Sequence, residues 1–167
     1  EGSKAMYYHY FSDASLTGKS IQGGVGFLAG GPIQACTQRQ QLQAPEVHTA
    51  EVVAAGNNLN LVIPQNGLLQ ELHIRLGKPT PFYLDSATTV FVASNDAAVR
   101  KSVWLVRRAI VLQDGVAFDE IAPIHISEQD MVADPFTKYL VYPIWARHMW
   151  YLLNKLGAPP PRHKASK

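Results

Sequence analysis

Apolar and polar side chains alternate at the start of the chain. Tyr7, His9 and Phe11 interleave with Tyr8, Tyr10 and Ser12, an aromatic run of strand type. Gly18-Lys19 supplies a turn, residues 21–28 a second strand, Gly30-Gly31-Pro32 another turn and residues 33–40 a third strand. Short strands joined by glycine turns predict an antiparallel meander. The period then lengthens. A run from 47 to about 62, preceded by Pro45-Glu46 and closed by Pro64, predicts a helix. Leu68, Leu69, Leu72 and Leu76 make an apolar stripe closed by Gly77 and Pro79, which predicts a second helix. Residues 81–85 read as a buried strand ending in an acid. Asn95-Asp96 opens a long helix over 97 to about 112, ended near Gly115, and residues 118–126 are a fifth strand. Residues 129–139 and 142–156 read as helical. The order predicts an α/β domain: a five-stranded mixed sheet, made of a three-stranded antiparallel meander plus two parallel strands, with helices on both faces.

Composition narrows the class. Of 167 residues, 47% are hydrophobic and 17% charged, which suits one globular domain, placed over residues 5–156. Residues 157–167, with Pro159-Pro160-Pro161 followed by basic residues, read as a flexible tail. Glu1-Gly2-Ser3 reads as a cloning remnant. No apolar stretch approaches the ~20 residues that span a bilayer, and no secretory signal is visible, so no membrane partner and an intracellular location are expected. A single cysteine, Cys36, excludes an internal disulfide and a cysteine zinc cluster, and reads as a small strand residue. The net charge of +2 says little; its distribution says more.

Four acids fall at the borders of elements. Asp13 follows the aromatic run, Glu51 lies in the first turns of the first long helix, Asp85 ends the fourth strand, and Asp134 follows the fifth strand by a short loop. Each has an ordinary local reading: a turn former, a residue favoured by the helix dipole, a cap. As an ordered set they point elsewhere. Converging carboxylates repel and raise one another's pKa, and two hard divalent cations relieve this. Mg²⁺ or Mn²⁺ take carboxylate oxygen and water, and a pair ~4 Å apart activates water and stabilises a leaving oxygen at a phosphodiester. Asp130 competes with Asp134 for the fourth place, and Glu46 with Glu51 for the second.

Arg100, Trp104, Arg107 and Arg108 fall near one face of the long helix, with Lys101 beside them, a pattern that fits a nucleic-acid backbone as well as a solvated basic face. His125 is an auxiliary candidate for proton transfer, weighed against a structural hydrogen-bonding histidine. His48 reads as a helix-start residue. Gly23-Gly24 and Gly26 lack the spacing and the following helix of a dinucleotide site; a twisted strand explains them.

The words around the acids are those of a known family. Phe11-Ser12-Asp13-Ala14-Ser15, Gly24-Val25-Gly26-Phe27-Leu28, Gly31-Pro32-Ile33, Gln38-Arg39-Gln40 and Thr49-Ala50-Glu51 resemble the first half of the ribonuclease H domain of Copia-type retrotransposon polyproteins. Tyr83-Leu84-Asp85, Ile124-His125-Ile126-Ser127 and Ala133-Asp134-Pro135-Phe136-Thr137-Lys138 resemble the second half, over about residues 7 to 140. The resemblance implies endonucleolytic cleavage of the RNA strand of an RNA–DNA hybrid with two Mg²⁺ or Mn²⁺ ions. Asp13 would bridge the ions, Asp134 would hold the one that activates water, and Glu51 and Asp85 the other. It further implies a reverse transcriptase domain of the same polyprotein as partner, a cytoplasmic virus-like particle or the nucleus as location, and a monomer as an isolated domain. The chain departs from the family at Ser86, where an Asn is common and where substrate contact is expected, at Lys101-Ser102-Val103-Trp104, and at Val52, where an aromatic is frequent. The alternatives are a catalytically idle or host-adopted domain of the same fold that binds nucleic acid as a scaffold, and an integrase or exonuclease of the same superfamily.

Overall fold

The computed structural model describes residues 5–17, 19–41, 46–95 and 103–155, the side chains of 17, 19, 103 and 104 excepted. Strands β1 (Tyr8–Thr17), β2 (Lys19–Leu28) and β3 (Gly31–Arg39) form the antiparallel meander that the alternating pattern predicts. They are followed by α1 (Val47–Glu71), β4 (Thr80–Leu84), α2 (Ala87–Ser94), α3 (Val103–Ala117), β5 (Ile121–His125) and α4 (Tyr142–Leu152). The five strands lie in the order β3-β2-β1-β4-β5, with β4 parallel to β1 and β5 parallel to β4.

Alternation along β1 splits its side chains between two cores. Tyr8 and Tyr10 pack with Phe82 and Leu84 against Val52, Ala55, Leu59 and Val62 of α1 and Leu112 of α3. On the other face Phe11, Val25 and Phe27 pack against Met131, Val132 and Ala133, with Leu152 of α4 over them. Helices therefore cover both faces, as expected. Burial of these side chains is the main source of stability, since each fully buried large apolar side chain contributes ~1.5–3 kcal/mol. The glycines of β2 have a packing reason that strand twist does not supply. A Cβ at Gly24 would lie 2.7 Å from Cε1 of Tyr10, and one at Gly26 would lie 2.8 Å from the Tyr8 hydroxyl, so both glycines make room for the tyrosines of the neighbouring strand.

Four expectations are corrected. The two helices expected on either side of Pro64 are one helix of 25 residues with Pro64 inside it. A proline removes one helical hydrogen bond, but buried anchors lie on both sides of it: Val62 before, Asn66 and Leu69 after, with the Asn66 amide donating to Thr80 Oγ1 at 3.1 Å. Leu68 and Leu72, read as part of a buried stripe, are exposed. Second, α2 was not anticipated. Its run of Thr88, Thr89, Val90 and Val92 has weak helix propensity, but Ser86 caps it by accepting from the Thr89 N–H at 3.2 Å, and Thr89, Val92 and Ala93 are buried. Third, Gly115 lies within α3, not at its end. A Cβ there would lie 2.7 Å from Leu59 Cδ2, so the glycine lets α3 approach α1 closely. The expected start of that helix over 97–102 lies outside the described residues. Fourth, the helix expected over 129–139 is two short 3₁₀ turns, Glu128–Asp130 and Asp134–Phe136. Met131, Val132 and Ala133 are all buried in succession, which one face of a helix cannot achieve, and Pro135 disfavours helix at the residue before it. The 157–167 tail also lies outside the described residues.

Candidate active site

Pairing of β1 with β4 sets Asp13 and Asp85 side by side. Tyr10 is opposite Phe82 and Phe11 opposite Tyr83, so the same register carries Asp13 towards Asp85, the residue after β4. Glu51 reaches them from the second turn of α1. Carboxylate oxygens of Asp13, Glu51 and Asp85 all lie within 4.8 Å of one another. Asp134 stands outside that group of three and borders it through Lys138. The Lys138 ammonium donates to Asp134 Oδ1 at 2.9 Å and lies 3.5 Å from Asp13 Oδ1. The hydroxyl of Thr137 donates to Asp13 Oδ2.

Gly23 allows this closure. It is the antiparallel partner of Asp13, and a Cβ on it would stand 2.7 Å from Thr137 Cγ2 and 2.8 Å from Phe136 Cβ. Thr37 of β3 adds a second tie by donating to the Phe136 carbonyl at 2.5 Å. Behind the site, fully buried Asn58 donates to Ser12 Oγ at 2.8 Å and to the Gly23 carbonyl at 2.9 Å, fixing α1 to both strands beside Asp13.

The electrostatics follow from burial. Burial, opposed by Lys138 and reinforced by Asp134 and Asp85, pushes Asp13 up to about 7. Burial and the charges of Asp13 and Asp85 push Glu51 up to about 9. Asp85 and Asp134 are also raised, by burial first, with Lys138 pulling both back. For Lys138, burial acts downward, but Asp13 and Asp134 outweigh it and leave its pKa above the usual lysine range. Asp13 Oδ1 is buried and makes no hydrogen bond. A buried carboxylate oxygen without a donor, among acids that offer only oxygen, fits a hard divalent cation.

The other candidates separate. Asp130 lies 3.4 Å from Arg147 of α4, and Glu46 is the exposed N-cap of α1; neither belongs to the converging group. His125 ends β5 with Nε2 3.0 Å from the Asp85 carbonyl. A carbonyl only accepts, so Nε2 carries the proton and the ring steadies the backbone of an acid. Ser86 caps α2. Arg108 turns to α1, donating to Asn57 Oδ1 at 2.9 Å, and Asn57 in turn donates to Gln22 Oε1 at 2.7 Å. Arg107 is exposed. Arg100, Lys101 and the Trp104 side chain lie outside what is described. Thr137, Lys138 and Gly23 were missed as site residues. The signal for the first two was their spacing after Asp134, three and four residues on, which returns a side chain towards the start of a turn. A cavity of about 430 Å³ on the second face, lined by His9, Phe11, Phe27, Tyr83 and Trp150 among others, is not lined by any of Asp13, Glu51, Asp85 or Asp134.

No known family profile matches the chain, and no curated protein matches it. Solved structures do. The N-terminal ribonuclease H domain of a Mycobacterium tuberculosis protein, solved as a fusion with maltose-binding protein, aligns with a TM-score of 0.61 at 16% identity over 80% of this chain and 91% of that one. Ribonuclease H1 of the halophilic archaeon Halobacterium salinarum aligns with a TM-score of 0.53 at 14% identity, over 80% and 94%. A ribonuclease H1 solved in complex with an RNA/DNA hybrid aligns with a TM-score of 0.53 at 13% identity, over 77% and 92%. The chain has the ribonuclease H fold, with an acidic triad where β1, the end of β4 and the start of α1 meet.

Proposed function

We propose that this protein is a divalent-metal-dependent endoribonuclease that cuts the RNA strand of an RNA–DNA hybrid. The observation that carries this reading is the convergence of Asp13, Glu51 and Asp85 around a buried oxygen of Asp13 that has no hydrogen-bond donor. Asp13 and Asp134 would hold one Mg²⁺ or Mn²⁺ ion, and Asp13, Glu51 and Asp85 a second. Such a pair supplies an activated water and a stabilised leaving oxygen at the scissile phosphodiester. The residues do the rest. β1 and β4 place Asp13 and Asp85 side by side, α1 delivers Glu51, and Thr137 fixes the orientation of Asp13 through Oδ2. His125 holds the Asp85 backbone through its carbonyl. Arg107 and Arg108, with Arg100, Lys101, Trp104 and Ser86, would contact the hybrid, whose A-like shape and 2′-hydroxyls are read without sequence preference.

The family words at residues 11–15 and 133–138 support a Copia-type retrotransposon origin, with reverse transcription as the setting, a reverse transcriptase domain of the same polyprotein as partner, and a virus-like particle or the nucleus as location. Among the described residues no helix is long and apolar enough to cross a membrane. We place a single domain over residues 5–156 and a basic tail over 157–167.

The test is incubation of the protein with a labelled RNA–DNA hybrid, an RNA duplex and a DNA duplex, each with Mg²⁺, Mn²⁺ or chelator. Internal cuts in the RNA of the hybrid, leaving 3′-hydroxyl and 5′-phosphate ends and absent with chelator, are expected. Preferential cleavage of duplex DNA would overturn the reading.

A further inference from the structure

The positive charge among the acids has no part in the reading above. Lys138 Nζ stands 2.9 Å from Asp134 Oδ1 and 3.5 Å from Asp13 Oδ1, with only 26% of its side chain exposed. Asp13 Oδ1 is the same oxygen that lacks a hydrogen bond, because at 3.5 Å the ammonium faces it without bonding well. An ammonium has no lone pair and cannot join a metal's coordination shell. It and a cation therefore compete for the same two oxygens on the Asp134 side. On the other side Asp13, Glu51 and Asp85 form their group, and among the described residues neither Glu51 nor Asp85 has a cationic side chain within 4.0 Å.

We infer that Lys138 is a tethered counter-ion standing in for the ion on the Asp134 side. At rest the protein then takes one divalent ion tightly, through Asp13, Glu51 and Asp85, and a second one weakly, because that ion must displace the ammonium. Charge supports this. Once an ion has displaced the carboxyl protons, four carboxylates facing one ammonium leave a deficit that a single divalent ion nearly closes, and two ions with the ammonium in place would exceed it. An incoming phosphodiester changes the balance. Its negative charge offers the ammonium another partner, and the flexible four-carbon stem of lysine permits the move. Lys138 is thus a positioning residue that couples filling of the second ion site to arrival of the substrate. The inference rests on the metal-dependent reading.

The experiment counts ions without substrate. Mn²⁺ is titrated into the full chain, free Mn²⁺ is read by electron paramagnetic resonance and heats by calorimetry, for the unmodified protein, Lys138→Met, Lys138→Arg, Asp134→Asn and Asp13→Asn. The unmodified protein should bind one ion tightly and a second at least about tenfold more weakly. Lys138→Met should tighten the second ion about tenfold or more, and Lys138→Arg should keep the original pattern. A second ion bound equally or more weakly in Lys138→Met would overturn the inference and identify the lysine as a brace for Asp134. If Lys138→Met does not fold, Asp134→Asn decides: it should abolish the weak ion and keep the tight one, and loss of the tight ion instead would overturn the inference. Should the unmodified protein and Asp13→Asn both bind no Mn²⁺, the metal reading itself falls and the inference with it. One ion bound by the unmodified protein and lost in Asp13→Asn preserves that reading whatever Lys138 does.

Discussion

The hydroxyl of Thr137 donates to Oδ2 of Asp13 across 124 residues of chain, so a 3₁₀ turn after the last strand orients an acid in the first. The contact exists only because Gly23, opposite Asp13 on β2, has no side chain. Gly23→Ala should therefore push Thr137 and Phe136 away while the rest of the sheet forms. We expect hybrid cleavage to fall at least about tenfold, equivalent to ~1.4 kcal/mol of lost transition-state stabilisation, with less effect on melting temperature than on rate. Full activity in this variant would show that the turn's approach to β1 is not needed for the reaction.

Asp13→Asn keeps the shape of the side chain and removes the charge. Cleavage should drop by at least about 10³-fold, because on the proposed reading the variant would lose a carboxylate needed to hold the metal. Since Asp13 is a buried carboxylate among others, the metal-free variant should melt no lower than the original protein. Circular dichroism and a hybrid-cleavage assay on the same sample check both halves.

The raised acids set a pH dependence for the metal-free protein. Glu51 is about 9 in the fold against 4.5 in the unfolded chain, so the folded state holds a proton that the unfolded state releases. Its contribution to stability is present in full below the unfolded value and is lost as pH rises through about 9. Half-buried His9, held down to about 4 by desolvation, acts in the opposite sense at lower pH, so the range above neutrality is the window to use. Between about pH 7 and 9 the chelator-treated protein should lose roughly 2 kcal/mol, and Glu51→Gln should remove that slope. Urea unfolding at several pH values gives the answer, and an unchanged slope in Glu51→Gln would exclude Glu51 as its source.

Arg107 and Arg108 predict different behaviour. Exposed Arg107 is free to meet a phosphate, so Arg107→Ala should weaken hybrid binding and flatten the log–log salt dependence by about one unit at most, with turnover unchanged. Arg108 donates to Asn57, and its removal also frees a link between α3 and α1, so Arg108→Ala should lower stability by about 1 kcal/mol in addition. Equal salt slopes in both variants and the original protein would leave Arg107 as a solvated surface residue.

Much of this site could be read before the fold was seen, and the reason is positional. Glu51 and Asp85 sit where a helix begins and a strand ends, and strand order brings such ends together; Asp13, read as following the first strand, lies in the middle of β1, which runs on to Thr17. The meander was legible because alternation survives in β1 and glycine turns bound β2. What escaped was decided by long-range contacts. Pro64 reads as a stop, yet Asn66 and Leu69 are held by partners distant in sequence and carry the helix past it. The helix α2 has weak local propensity and forms because Thr89, Val92 and Ala93 are buried. Asn58 is a polar residue mid-helix whose bonds to Ser12 and Gly23 depend on tertiary placement that no local pattern encodes.

The continuity of α1 has a mechanical consequence. A helix of 25 residues is a rod of ~37 Å, and Glu51 rides near one end while Leu69 is gripped by the core near the other. A hinge at Pro64 would have let the acid drift with its own turn. As a single beam, α1 makes the aim of Glu51 answer to packing some 18 residues away, so a cavity opened at Leu69 would act as a slackened bearing and detune a carboxylate it never touches.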